Sequence, residues 1–571
     1  MASGITSPRV REENTDEFTF VDRSNSPSAY KRFESGAIDS DDVSRLTEVS
    51  DEPSMLGEIQ HIAVPRPRKK YAGMGVNGCC RCLIAWRRRI LWLILICGLI
   101  AVVAYFVLKL IVQSKYESST SESKSNKVSS IGVIKDGLPD GSSDVSVGVN
   151  PSVYPNTKCK LPNYTSQNGK IYATGPSGKQ QAISIKGINW SGMETGNAIP
   201  YGLWANGQNG TTVYEIASFL SRNNFNSVRL PLCVESILQD RVPNTELINI
   251  YANSAIDVSS YLKLISSIVK AFAYREISVL LDIHVLTITD IGSTWTSNAI
   301  SEASFLSAID TLTKTFCNDN HWNIIGVDLK NEPSAASWGD KGANDWSVGA
   351  TTIGNRVLQG CPNWLTFIEG VNSLHTMTLP TGEFINYYDW WGGGLQNAED
   401  YPISLSTPNK IVYAPHYYSP SVYPQMYLLK RGTQDSDLIG NVVEWDNATL
   451  KSIVLATANN MFGYLTQSQG GAIVLGEFGG LYTQDRHANY TVRRVIEYCM
   501  TMVQQTGFAG GYVWSLNPES TYNYNPSDHK GIWQEGLVGA DWVTVNIPYL
   551  NALKQLDSMP NLSKFPCMSS I

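Results

Sequence analysis

Eight short apolar or β-branched runs recur through the second part of the chain, at 182–190, 226–232, 278–285, 323–333, 364–371, 410–418, 472–480 and 510–517. Longer stretches with helical spacing of apolar positions lie between several of them, at 212–224, 258–276, 302–317 and 490–507. Near-continuous apolar strands alternating with amphipathic helices predict parallel strands covered by helices, in an α/β domain closed as a (β/α)8 TIM barrel over 156–571. A doubly wound open sheet is the alternative. It would usually carry a glycine-rich phosphate turn after the first strand, and this sequence has none there. At roughly 410 residues the region exceeds the ~250 of a bare barrel, so long loops are expected, notably 372–409, 419–450 and 518–540.

The pattern ahead of the barrel is different. Residues 1–89 are rich in Ser, Asp, Glu and Arg with scattered apolar positions, which reads as a disordered tail. Residues 90–112 are hydrocarbon on every face apart from Lys109, long enough for the ~20 residues that cross a bilayer. The cations Arg66, Arg68, Lys69, Lys70, Arg81, Arg87, Arg88 and Arg89 crowd its N-terminal side. The positive-inside rule then places the tail in the cytosol and makes 90–112 a single-pass signal anchor. Ser, Lys, Gly and Asp dominate 113–155, as in a flexible stalk. The expectation is a plasma-membrane protein of type II with its barrel domain extracellular. Cys79, Cys80 and Cys82 flank the span and are candidates for palmitoylation.

The N-glycosylation acceptors fit that orientation. Asn163, Asn209, Asn447, Asn489 and Asn561 all follow the apolar span, whereas Asn189, also in an acceptor motif, sits at a strand end and is a poor candidate. Six cysteines follow the span: Cys159, Cys233, Cys317, Cys361, Cys499 and Cys567. An oxidising compartment allows up to three bridges among them, and spacing leaves the pairing open. A net charge of −7 with 17% charged residues gives no nucleic-acid footprint. No metal or cofactor is expected, and oligomeric state is not legible.

Chemistry gathers where the runs stop. The second ends at Arg229, the third at His284, the fourth at Asn331 and Glu332, the sixth at His416 and Tyr418, the seventh at Glu477 and the eighth at Trp514. Pro333 has no N–H and stops the fourth ladder just past Glu332. In a parallel barrel these ends meet on one face. Two glutamates on separate strands suit glycoside hydrolysis, one as acid/base and one as nucleophile. On that reading one glutamate is protonated and the other ionised, and Arg229, near Glu477, would favour its carboxylate form. Asn331 would bind a sugar hydroxyl, and His416 and Tyr418 would orient the glutamates. Trp514 would support the cleaved sugar, and Trp204, Trp338, Trp390, Trp391 and Trp533 are candidate stacking faces in loops, with ordinary packing the alternative for each.

With these residues in view, 159–545 resembles glycoside hydrolase family 5. The resemblance rests on Asn331-Glu332-Pro333, Gly476-Glu477-Phe478-Gly479, Arg229, His284, His416 with Tyr418, and Trp514. It implies a retaining two-glutamate mechanism with Glu332 as acid/base and Glu477 as nucleophile. The stretches 187–205, 391–420 and 515–518 resemble its endo-β-1,4-glucanase (cellulase) branch more than its mannanase or β-1,3-glucanase branches. Cellulases of this kind often carry a basic residue after the third-strand histidine, whereas here Val285 follows His284. The expected partner is a β-glucan, with a role in cell-wall polysaccharide metabolism. Another β-glycan (β-1,3-glucan, mixed-linkage glucan or mannan) and an inactive glycan-binding membrane receptor are the alternatives.

Overall fold

The computed structural model describes residues 132–137, 150–206, 209–430, 432–435, 437–468 and 470–569. The expected tail (1–89), the apolar span (90–112) and most of the expected stalk lie outside them. Among the described residues no helix is long and apolar enough to cross a membrane.

All eight apolar runs form barrel strands. They are β1 (Ile185–Asn189), β2 (Ser227–Cys233), β3 (Ser278–Val285), β4 (Ile324–Asp328), β5 (Leu365–Ile368), β6 (Ile411–Tyr413), β7 (Ala472–Gly479) and β8 (Phe508–Trp514). Each pairs in parallel with its sequence neighbours, and β8 closes onto β1. The strands read as unbroken apolar runs because helices cover them outside and side chains fill the barrel within. Tyr512 of β8 is one such filler, its hydroxyl 2.8 Å from Ser227 Oγ. Gly187 makes room for it, since a Cβ there would lie 2.2 Å from the Tyr512 ring.

The outer helices include α1 (Val213–Arg222), α2 (Tyr261–Tyr274), α3 (Glu302–Phe316), α4 (Trp346–Gly360), α5 (Asn447–Met461) and α6 (Thr491–Met502). Polar side chains start several of them by accepting orphan N–H groups. Thr212, Ser260, Ser301 and Asp446 cap α1, α2, α3 and α5 in this way. The connection from β5 to β6 carries no helix. A two-stranded hairpin, Leu374–Thr378 paired with Phe384–Tyr388, stands there instead.

The lower end of the barrel is sealed by a three-stranded antiparallel sheet, Asn163–Gln167, Lys170–Thr174 and Gln180–Ile183. Its Tyr164, Ile171 and Ala173 bury against Leu365, Phe367, Val412 and Val474 at the strand starts. The predicted first run therefore serves two sheets, dividing at Ser184. A Cys159–Cys567 disulfide ties this cap to the C-terminal segment, and Cys317–Cys361 links the ends of α3 and α4. Cys233 and Cys499 are buried and unbridged, so two bridges form of the three the count allowed.

One part of the expected flexible stalk is held in place. Ile134 is buried, Lys135 N–H donates to Val543 O at 2.7 Å, and Arg222 Nε donates to Asp136 Oδ2 at 2.6 Å. The glycosylation candidates Asn163, Asn209, Asn447, Asn489 and Asn561 are exposed, whereas Asn189 is fully buried.

Candidate active site

Arg229 is the hub of the upper barrel. Its guanidinium is fully buried and has five N–H donors in a fixed fork. Nε donates to Asp328 Oδ2 at 3.0 Å. Nη1 donates to Glu477 Oε1 at 2.6 Å and Asn189 Oδ1 at 3.0 Å. Nη2 donates to Asn331 Oδ1 and Glu369 Oε1, both at 3.0 Å, and lies 3.1 Å from Asp282 Oδ1. One cation on β2 thus organises side chains from β1, β3, β7 and the ends of β4 and β5.

Burial disfavours the guanidinium's charge, but Asp282, Asp328, Glu477 and Glu369 outweigh it and raise its pKa further. Burial also pushes up the carboxyls of Asp328 and Glu369, and their mutual proximity adds to the rise at Asp328. Asp282 goes the other way. Burial would raise it, yet Arg229 and His284 hold its carboxyl below the ordinary range.

Glu477 sits near the end of β7 with both oxygens held. Arg229 donates to one and the Tyr418 hydroxyl donates to the other. Glu332 lies just past β4 with φ of 46°, a left-handed conformation that non-glycine residues seldom adopt and that recurs at functional sites. Its N–H donates to Glu369 Oε2 at 2.8 Å, which fixes this turn of the backbone. Between the two glutamates stands His416, whose Nδ1 is 2.9 Å from Glu332 Oε1 and 3.6 Å from Glu477 Oε2. Its Nε2 is 3.1 Å from Glu369 Oε1. Burial drives the His416 pKa down to about 4, so the ring is neutral near pH 7. The His416 and Glu477 backbones pair directly, and a Cβ at Gly476 would lie 2.8 Å from His416 Nε2. That glycine is what lets the ring stand there.

One oxygen each of Glu332 and Glu477, with a ring nitrogen of His416, all lie within 4.8 Å of one another. The same spacing could hold a cation, as could that of Asp282, Asp328 and Glu369. In the second trio the guanidinium of Arg229 already supplies the positive charge.

His284 Nδ1 is 2.6 Å from Asp282 Oδ2, and its ring lies nearly parallel to that of Trp514, 5.9 Å between centroids. The structure thus brings together Arg229, His284, Asn331, Glu332, His416, Tyr418, Glu477 and Trp514. The loop tryptophans divide. Trp391 is half-buried beside this centre, next to Gly392, where a Cβ would lie 2.4 Å from Glu369 Oε2. Trp390 is only 1% exposed and packs edge-on against Tyr417 and Tyr418, so it braces Tyr418 and offers no open stacking face. Trp338 is also buried, its Nε1 donating to Tyr401 O at 3.0 Å. Trp204 is half-buried and packs edge-on against Trp542, and Trp533 is half-buried with Arg486 over its ring.

Sequence reasoning missed Glu369, Asp282 and Asp328. The available signal was a lone carboxylate inside an apolar strand run, as in Phe367-Ile368-Glu369 or Leu281-Asp282-Ile283.

Comparison with known proteins agrees with this geometry. The family model described as cellulase (glycosyl hydrolase family 5) matches residues 179–520. The major extracellular endoglucanase of Xanthomonas campestris pv. campestris is 29% identical over 393 residues, covering 68% of this chain and 71% of that protein. An endoglucanase of Paenibacillus polymyxa is 27% identical, covering 69% of this chain and 86% of that protein. Among solved structures, an endocellulase from Pyrococcus horikoshii in complex with cellotetraose superposes with a TM-score of 0.55. It is 29% identical and covers 69% of this chain and 98% of its own. With the family match spanning more than half its length and a charged centre at the mouth of an eight-stranded barrel, the chain belongs to glycosyl hydrolase family 5.

Proposed function

We propose that this protein is a retaining endo-β-1,4-glucanase that works by double displacement on Glu332 and Glu477. The observation that carries this reading is the approach of the two carboxylates to within 4.8 Å at their nearest oxygens. Retaining glycosidases hold their pair about 5–5.5 Å apart, whereas inverting enzymes leave about 6.5–9.5 Å for a water.

In the first step a Glu477 oxygen attacks the anomeric carbon. Glu332 gives its proton to the departing glycosidic oxygen, and a glycosyl ester forms on Glu477. In the second step Glu332, now a carboxylate, takes a proton from water. That water attacks the same carbon and releases Glu477. Arg229 and Tyr418 hold the nucleophile in place by donating to its two oxygens. The neutral ring of His416 stands between the two glutamates, and its Nδ1, 2.9 Å from Glu332 Oε1, fixes where that carboxyl sits. Asn331, oriented by Arg229, faces the developing charge on the sugar, and Trp514 with His284 forms the wall beneath it.

The β-1,4 linkage is supported by the endoglucanase and endocellulase relatives. Hydrolysis of a panel of defined oligosaccharides tests it. Cleavage of cellopentaose is expected, and activity confined to laminarin or mannan would overturn it.

We further propose that the barrel is tethered outside the cell by 90–112 and acts on cell-wall glucan. The apolar span, the exposed acceptor asparagines beyond it and the two disulfides support this topology. Protease digestion of intact cells should remove the barrel and spare residues 1–89; protection of the barrel would refute it.

A further inference from the structure

The hairpin between β5 and β6 has an outer face that the mechanism does not use. Its strands alternate regularly. Leu374, Thr376 and Thr378 face outward on one strand, as do Phe384, Asn386 and Tyr388 on the other. Antiparallel register sets Leu374 opposite Tyr388, Thr376 opposite Asn386 and Thr378 opposite Phe384. Leu374 and Tyr388 are each 55% exposed and Phe384 67%, so three large apolar side chains share one open face. None of these six residues is charged.

The hairpin is anchored from behind. The Tyr387 hydroxyl donates to Asn460 Oδ1 at 2.5 Å, and its ring packs edge-on against Tyr427. Asp389, buried at the base, accepts from Ser373 N–H at 3.2 Å and Gln396 Nε2 at 2.6 Å, with His375 Nε2 at 3.1 Å. Gln425 Nε2 donates to Tyr388 O at 3.2 Å. The base is also continuous with the wall of the catalytic gap. One strand leaves from Glu369 and Gly370, and the other returns through Trp390 and Trp391 to Gly392. Gly370 N–H donates to Gly392 O at 2.7 Å.

We infer that this outer face is a platform for the β-glucan chain where it runs beyond the catalytic gap, a role that rests on the hydrolytic reading above. The pyranose rings of a β-linked glucan present C–H faces to aromatic rings and hydroxyls to neutral polar groups. Tyr388 and Phe384 supply the rings, about 13 Å apart along the strand. Thr376, Asn386 and Thr378 supply the polar partners between them. Six uncharged outward residues suit a neutral polymer better than an anionic lipid surface, and the fixed hairpin limits the ordering cost of binding.

The test uses the full chain with Phe384→Ala and Tyr388→Ala combined. Kinetics are compared on hydroxyethylcellulose, a long soluble β-1,4-glucan, and on an aryl cellobioside too short to leave the gap. KM for the polymer should rise about tenfold with kcat unchanged, while the short substrate stays within about twofold. Phe384→Tyr with Tyr388→Phe, which keeps both rings, should restore the polymer KM. Equal losses on both substrates, or none on the polymer, would overturn the platform. So would an unchanged polymer KM accompanied by loss of self-association or of vesicle binding, which would assign the face to a second copy or to lipid. Binding of the polymer to the Glu477→Gln chain gives a readout independent of turnover. If the parent hydrolyses neither substrate, the hydrolytic reading fails, whereas the platform stands or falls on whether the paired alanines weaken that binding.

Discussion

The side chains that fill the two ends of the barrel are equally buried and chemically opposite. At the lower end Tyr164, Ile171, Leu365, Phe367, Val412 and Val474 form an apolar plug. At the upper end Arg229, Asp282, Asp328, Glu369 and His416 are just as buried. Removing apolar surface from water stabilises the lower end by about 25 cal/mol for each Å². Burying charges opposes folding unless each finds partners, and a well-packed apolar replacement is often neutral or better. The upper cluster is therefore poor value as a stabiliser. On the proposed mechanism its arrangement makes sense as the scaffold that sets Glu332 and Glu477 against one bond.

Substitutions at the two ends should therefore separate activity from stability. The largest effect expected is Glu477→Gln, which should lower kcat by roughly 10³–10⁵ while leaving the unfolding midpoint unchanged or raised. Phe367→Ala at the lower end should do the reverse. It should cost about 3–5 kcal/mol in urea unfolding, with kcat per folded molecule close to that of the parent. A variant of either kind that moved both quantities together would break the contrast.

Arg229→Met comes next. It strands Asp282, Asp328, Glu369 and Glu477 without their cation, and should destabilise the fold by about 3–5 kcal/mol as well as remove activity. Each end also carries a buried histidine, His416 above and His321 below, and both are pushed down to about 4 by burial. The unfolded chain takes up protons below pH ~6.5 that these folded rings refuse. Stability is full above that value and falls as pH drops toward 4, by up to roughly 3 kcal/mol for each ring. His321→Gln and His416→Gln should each remove a share of that acid-side loss, read from urea midpoints at pH 7 and 4.5.

The eight strands were legible because burial on both sides leaves no polar alternation to confuse them. Helices α1, α2, α3 and α6 showed clear periodicity. Helix α4 did not, since Gly349, Gly354 and Gly360 carry poor helix propensity; Gly349 is there because Trp295 packs onto it. Helix α5 opens inside a stretch that reads as loop, and its apolar positions make a weak stripe. At the site, residues at strand ends could be listed from the sequence, because topology alone makes them converge. Glu369 also ends a strand run, but a single glutamate before Gly370 reads as solvated until Arg229 is seen beside it. Trp390 misled in the other direction, since aromatic side chains serve packing and sugar stacking alike.

The stereochemistry of cellopentaose cleavage tests the two-glutamate gap most directly. Proton NMR during the first turnovers should show the newly formed reducing end as the β-anomer, later mutarotating. An α-anomer appearing first would mean that water attacks across a wider gap, and that Glu477 is not the nucleophile.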